Sequence, residues 1–139
     1  MIMLDFTPLE KAIFRLEEGL NRYQQDISDV QIRDGLIQRF EFTYELSHKM
    51  LKRYLIAVSP NPELYDGISF QDLIRTGNEY GLLQGEWLDW KQYREMRSRT
   101  SHTYDEDTAI LVVQGIPKFL SEAKHLQKKL KSGQNGQSF

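Results

Sequence analysis

Residues 94–107 read REMRSRTSHTYDED: three arginines, a histidine and a tyrosine, closed by three acids. If this stretch simply continued a helix from Trp87, the C-terminal half of the chain would be one long rod. The tetrad Thr103-Tyr104-Asp105-Glu106 argues otherwise, because a hydroxyl followed three residues later by a carboxylate is the form of a capping box. The spacing therefore predicts a helix ending near Arg99 or Thr100, a turn over 100–103 and a new helix from Thr103. That turn makes the chain a bundle.

Upstream of the turn, the fourth helix is expected from Gly85 or Glu86. With Trp87 at 0° and about 100° per residue, Trp90 falls near 300° and Tyr93 near 240°, an aromatic stripe for core or interface. Arg94, at roughly 340°, and Arg97, at roughly 280°, share that face. A guanidinium there needs an anionic or carbonyl partner and can stack on a ring. Two readings follow for Arg97: an intramolecular pair with Glu41 or Glu45, or a phosphate fork in a cleft.

Farther out, four prolines and nine glycines punctuate apolar patterns that repeat at three or four residues, never two. Thr7-Pro8-Leu9-Glu10 reads as a hydroxyl cap, a tolerated proline and a capping glutamate, opening a first helix to about Gln25 with Leu9, Ile13, Leu16 and Leu20 inward. Ser28-Asp29-Val30-Gln31 opens a long second helix, buried through Ile37, Phe40, Tyr44, Leu51, Leu55 and Val58 and ended by Pro60 and Pro62. Ser69 caps a short third helix that stops at Tyr80-Gly81, where glycine allows a left-handed cap. The last helix carries Ala109, Val112, Ile116, Leu120, Ala123, Leu126 and Leu130, bends at Pro117 and ends near Lys131. The expected fold is all-α: an antiparallel up-and-down bundle of four main helices plus one short helix. Residues 1–131 form the single domain, and 132–139 a flexible tail.

Composition narrows the function. With 139 residues and no cysteine, the chain makes a core without disulfides and has neither thiol catalysis nor thiolate metal sites. The N-terminus lacks a basic and apolar leader pattern, and the longest aliphatic run, Ala109 to Val113, is far short of the ~20 residues of a membrane span. A cytoplasmic protein is expected. The net charge of −2 argues against coating nucleic acid, so any RNA or nucleotide contact is local, and no DNA is expected. No spacing of His, Asp and Glu suggests a metal site, and neither a P-loop nor a G-x-G-x-x-G is present, so no metal or cofactor is expected. Nothing marks a nucleophile elbow.

Three residues of the turn invite chemistry, each with a plainer alternative. His102 is either a polar surface residue or an imidazole swung back over Arg97 by the turn. Tyr104 is a rim packing residue or a phenol offered to a partner. Asp105, Glu106 and Asp107 suit the positive end of a helix as caps and solvation.

Arg97-x4-His102-x-Tyr104, in a turn between two helices of a small bundle, resembles the R-x4-6-H motif of the HEPN (higher eukaryotes and prokaryotes nucleotide-binding) superfamily and its R-x4-H-x-Y subgroup. Gly35 to Leu46 (GLIQRFEFTYEL) and Arg99 to Glu106 (RTSHTYDE) resemble the nucleotidyltransferase substrate-binding protein family, over about residues 5 to 130. Two departures stand out. Ser98 follows the motif arginine where many relatives carry Asn or Asp, and His48 stands where relatives usually have an aromatic.

The resemblance implies a homodimer that partners a minimal nucleotidyltransferase. In one version it is a metal-independent ribonuclease toxin, with Arg97 and His102 catalytic, Arg94, Ser98 and Arg99 as supporting phosphate contacts, and Tyr104 adenylylated by its partner. In the alternative version it is the non-catalytic nucleotide-binding or substrate-binding subunit of a two-component nucleotidyltransferase. A structural adaptor bundle is the third reading; under it Arg97 only pairs with Glu41 or Glu45. Chemistry constrains the first version. His102 has an intrinsic pKa of about 6.5, suited to a base, and Arg97 offers a fork to phosphate oxygens. One histidine is hard pressed to serve as both base and acid, so a two-fold supplying a second His102 completes the site.

Overall fold

The structure, a computed structural model, describes residues 4–136. Five helices run through them: α1 (Thr7–Gln25), α2 (Val30–Val58), α3 (Phe70–Glu79), α4 (Trp87–Arg99) and α5 (Glu106–Gly136), with 3₁₀ turns at Pro62–Tyr65 and Thr100–His102. Helices α1, α2 and α5 pack on one another, α4 lies against α5 and α2, and α3 bridges α2 and α4. This is the all-α bundle of four main helices and one short one.

The core is the one expected from periodicity. All four α1 positions are buried, as are Ile37, Phe40, Tyr44, Leu51 and Leu55 of α2 and the whole α5 stripe from Ala109 to Leu130. Each buried Leu, Ile, Val or Phe among them contributes roughly 1.5–3 kcal/mol when withdrawn from water. Phe119, off the expected stripe, is fully buried and knits three helices: its ring meets Phe40 at 5.1 Å and Tyr93 at 5.3 Å, both edge to face. The aromatic stripe of α4 is core: Trp90 and Tyr93 are buried inside their own chain.

Most helix ends follow their caps. The Asp29 carboxylate accepts from the Ile32 N–H at 3.0 Å, and Ser69 Oγ accepts from Asp72 N–H at 3.1 Å. After α3, Gly81 has φ +70°, and Leu82 N–H donates to Gly77 O at 2.9 Å while Gly81 N–H donates to Asn78 O at 3.0 Å, a Schellman stop.

Four ends differ from the sequence reading, and in α2 the difference is one residue: Asp29 caps it, while the Ser28 hydroxyl turns back to Asp26. Thr7 lies inside α1 rather than capping it; Asp5 Oδ1 accepts the Thr7 N–H at 3.0 Å, and Glu10 instead meets Gln127 at 2.8 Å. Helix α5 begins at Glu106, not Thr103, because Asp105 takes the boundary: Thr108 Oγ1 donates to its carboxylate at 2.7 Å, and its carbonyl accepts from Ala109 N–H at 3.0 Å. At its other end α5 passes Lys131 and continues to Gly136, so residues 132–136 are helix and only 137–139 of the expected tail lie outside the described residues. Gly133 lets α5 approach the Tyr54 hydroxyl so closely that a Cβ there has no room.

No described helix is long and apolar enough to cross a membrane.

Candidate active site

The turn after α4 is a tight 3₁₀ segment because Thr100 closes it. Its hydroxyl donates to Arg97 O at 2.6 Å and accepts from Arg97 Nη1 at 3.1 Å, tying backbone and guanidinium together. Arg97 sits on the last turn of α4, facing α2. There Nε donates to Glu45 Oε1 at 3.0 Å and Nη2 pairs with Glu41 Oε2 at 3.2 Å. Both carboxylates named from the sequence are engaged, and they fix the fork in one orientation. The arginine side chain keeps 30% of its surface accessible, so it is held but not sealed.

The second oxygen of Glu45 reaches farther. Glu45 Oε2 lies 3.2 Å from His48 Nε2, and the His48 ring packs against Tyr44 and, edge on, against Phe70. Burial holds the His48 imidazole below its ordinary pKa, opposed by the neighbouring Glu45 charge. Burial likewise raises the Tyr44 phenol far above its usual range, so it stays neutral beneath the cluster. The histidine substituted for an aromatic thus extends the Arg97 network by one member.

Arg94 is exposed, and its guanidinium lies over the Phe70 ring at 5.6 Å from the centroid, stacked rather than aimed at a carboxylate. Ser98 and Arg99 are exposed on the solvent side of α4.

His102 and Tyr104 project from the turn. His102 is exposed, its side chain makes no hydrogen bond or ion pair among the described residues, and its ring meets Tyr104 edge on at 6.0 Å. Among the described residues no hydrogen bond or ion pair joins it to Arg97. Tyr104 lies in the turn rather than the first turn of α5, and 86% of its surface is accessible.

Two polar residues that sequence reasoning did not single out tie α4 and α5 into the bundle, one near the turn and one at the start of α4. Arg33, at the start of α2, is buried, and its Nη1 meets Glu106 Oε1 at 3.2 Å while its Nε has no hydrogen-bond partner. It ties the first residue of α5 back to α2. Glu122, a buried carboxylate of α5, accepts from Gln84 N–H (2.8 Å), Gly85 N–H (2.6 Å) and Trp90 Nε1 (2.9 Å), fixing the start of α4 and hence the direction in which Arg97 is delivered. Thr100 was legible as a hydroxyl three residues after the arginine; Arg33 and Glu122 have hydrogen-bond partners 73 and 32 residues or more away, and no local pattern marks those pairings. Among the described residues no group of three His, Cys, Asp or Glu side chains is placed to hold a metal ion.

Comparison with known proteins fits this geometry. Residues 4–132 match the family described as nucleotidyltransferase substrate binding protein like. The chain is 36% identical over 136 residues to "Probable ribonuclease HepT" of Haemophilus influenzae, covering 92% of each. A solved Haemophilus influenzae structure, reported to reveal the fold of a substrate binding domain of a nucleotidyltransferase, superposes with a TM-score of 0.85 at 34% identity, over 91% of this chain and 99% of that one. A second, from Thermus thermophilus, gives 0.68 at 30% identity, over 88% of this chain and 98% of the other. The chain belongs to the nucleotidyltransferase substrate binding protein like family.

Proposed function

We propose, proceeding from that membership, that the chain is a metal-independent ribonuclease toxin of the cytoplasm, a homodimer that is silenced when a partner nucleotidyltransferase adenylylates Tyr104. The observation that supports it best is the pairing of a fixed guanidinium with an open imidazole: Arg97 is oriented by Glu45, Glu41 and Thr100, while the His102 side chain, five residues on, is exposed and free of hydrogen bonds among the described residues. A residue kept only for packing has no reason to stand in that way.

The chemistry follows from those two groups. His102 takes the proton of an RNA 2′-hydroxyl, and the 2′-oxygen attacks the adjacent phosphorus. The bond from phosphorus to the 5′-oxygen breaks, leaving a 2′,3′-cyclic phosphate, and the 5′-oxygen is protonated by a second acid, His102 of the other protomer. Arg97 has five N–H donors, of which Glu45 and Thr100 occupy two and Glu41 attracts a third nitrogen. The rest meet the charge that builds on the phosphorane. The two glutamates weaken the guanidinium as a bare charge and sharpen it as an oriented fork.

Tyr104 supplies the control. Its exposed phenol is open to a partner enzyme, and its ring lies beside His102. Transfer of AMP from ATP to that oxygen, with release of pyrophosphate, sets a phosphodiester and a base across the imidazole. The added negative charge repels an incoming RNA phosphate.

The other reading, a nucleotide-holding subunit of a two-component nucleotidyltransferase, is favoured by the description of the Haemophilus influenzae structure and asks nothing of His102. One experiment separates the two. Purified protein is incubated with RNA in EDTA, beside Arg97→Ala, His102→Ala and Tyr104→Phe. Ribonuclease function requires cleavage by the parent and by Tyr104→Phe, with loss in the other two. Incubation with the nucleotidyltransferase, ATP and Mg²⁺ should then add adenylyl groups to the parent and stop cleavage, and leave Tyr104→Phe unmodified and active. Cleavage that survives both Arg97→Ala and His102→Ala, or none by the parent, sinks the reading.

A further inference from the structure

We infer that the groove between α1 and α2 is a track for the single-stranded RNA flanking the cleaved bond; this rests on the ribonuclease reading. The groove encloses about 830 Å³ and is lined by Asp5, Lys11, Arg15, Gln38, Arg39 and Phe42, among others. Three of those residues are cations and one is an acid, in a chain whose net charge is −2. Asp5 stays an anion: hydrogen bonds from Thr7, its backbone N–H at 3.0 Å among them, hold the carboxyl below the usual carboxylate range, with Lys11 a smaller cause. Arg39 is braced at the groove edge by Arg15 O at 2.7 Å and Glu18 at 3.2 Å. The side chains of Lys11 and Arg15 make no hydrogen bond or salt bridge among the described residues. Three lining cations against one lining carboxylate leave the groove net positive in an acidic molecule, with Arg39 shared with Glu18.

Phe42 selects the kind of anion. It is 61% exposed, an aromatic ring set between cations with no other ring of the described residues against it. An acidic protein segment would gain little from it. An unpaired base gains a stacking face, and a phosphate on either side gains a cation, which is the chemistry of single-strand binding. A duplex hides its base faces and leaves the ring unused.

The groove and the proposed site share the same stretch of α2. On α2, Gln38, Glu41, Phe42 and Glu45 are spaced i, i+3, i+4 and i+7 and share one stripe. Gln38 and Phe42 face the groove, and Glu41 and Glu45 hold Arg97 at 3.2 and 3.0 Å. A strand lying on Phe42 is thus one helix face away from the fork.

The test measures binding separately from cleavage. In a His102→Ala background, a 5′-fluorescein oligouridylate of about twelve nucleotides is titrated by anisotropy across a salt series. Lys11→Gln with Arg15→Gln should weaken binding about tenfold and flatten the log–log salt slope by about 1.4, for two lost phosphate contacts on a single strand. Phe42→Ala should weaken it about fivefold or more. The control, Arg75→Gln with Lys128→Gln, removes equal charge from exposed positions on α3 and α5 and should leave both quantities in place. An equal loss in the control, or no loss in the groove variants, overturns the track. So does a change of sedimentation mass in the groove variants with RNA affinity retained, which puts a second copy in the groove. Cleavage by the parent is scored independently: binding through the groove without any cleavage keeps the track and removes the ribonuclease.

Discussion

His48 is the residue at which the cluster meets pH. It is walled by the rings of Tyr44 and Phe70, with the Glu45 carboxylate at 3.2 Å and Lys49 contributing a like charge. Its folded pKa lies below the unfolded value of 6.5, burial being the larger cause. With a depressed histidine pKa the unfolded chain binds the proton more readily, so stability contributed by the neutral ring is complete above the unfolded value and is lost as pH falls toward the folded one. A midpoint temperature measured from about pH 7.5 down to about 5.5 should therefore fall, and His48→Phe should fall less over the same window. A parallel decline in both proteins rejects the assignment. At Arg97, lysine keeps the charge but cannot span Glu41, Glu45 and Thr100 at once, so Arg97→Lys should fold yet lose RNA cleavage nearly as completely as Arg97→Ala. Recovery of most of the activity in Arg97→Lys would mean that charge, not the oriented fork, is what matters.

At the scale of elements, the joint between α3 and α4 rests on one buried carboxylate. Removing it in Glu122→Ala leaves two backbone N–H groups and the Trp90 indole without an acceptor. The expected cost is about 3 kcal/mol, seen as a midpoint lowered by roughly 10 °C, with Glu122→Gln losing less because an acceptor remains. Equal midpoints for Glu122→Ala and the parent would mean that the joint is held elsewhere. This element also shows where the sequence was readable. The five helices, the Ser69 cap and the left-handed Gly81 are local patterns, each decided within a few residues, and the α5 stripe announced its own burial. The Glu41 and Glu45 pairing with Arg97 was legible because a guanidinium on an apolar face needs an anion and α2 carries two at one-turn spacing. Where two nearby residues competed for one role, the pattern misled: Asp5 displaced Thr7, Asp29 displaced Ser28, and Asp105 displaced Thr103. Glu122 and Arg33 were invisible because their partners are fixed only by the assembled bundle.

For the whole molecule, the question is what a second copy adds. The aromatic face of α4 gives no reason to dimerise, since Trp90 and Tyr93 are buried in their own chain. The reason lies at the turn. His102 is a single imidazole, and the proposed reaction needs a base and an acid on opposite oxygens. The same end of the bundle exposes Tyr104 and, in the first two turns of α5, Ile110 and Leu111, the last 53% accessible. Under the proposed function, an isologous contact through that apolar strip would bring two turns together and pair their imidazoles. Sedimentation should then give twice the 16.4 kDa chain mass, and Leu111→Glu, which sets like charges across the two-fold, should return the protein to a single chain. The variant leaves Arg97, Glu41, Glu45, Thr100 and His102 untouched, and an exposed substitution of this kind shifts stability by only about 0.5 kcal/mol. Its helical spectrum and midpoint should therefore match the parent while RNA cleavage disappears. A single-chain species that still cleaves would show that one protomer carries both acid and base, and the second imidazole would have to be replaced in the mechanism by water.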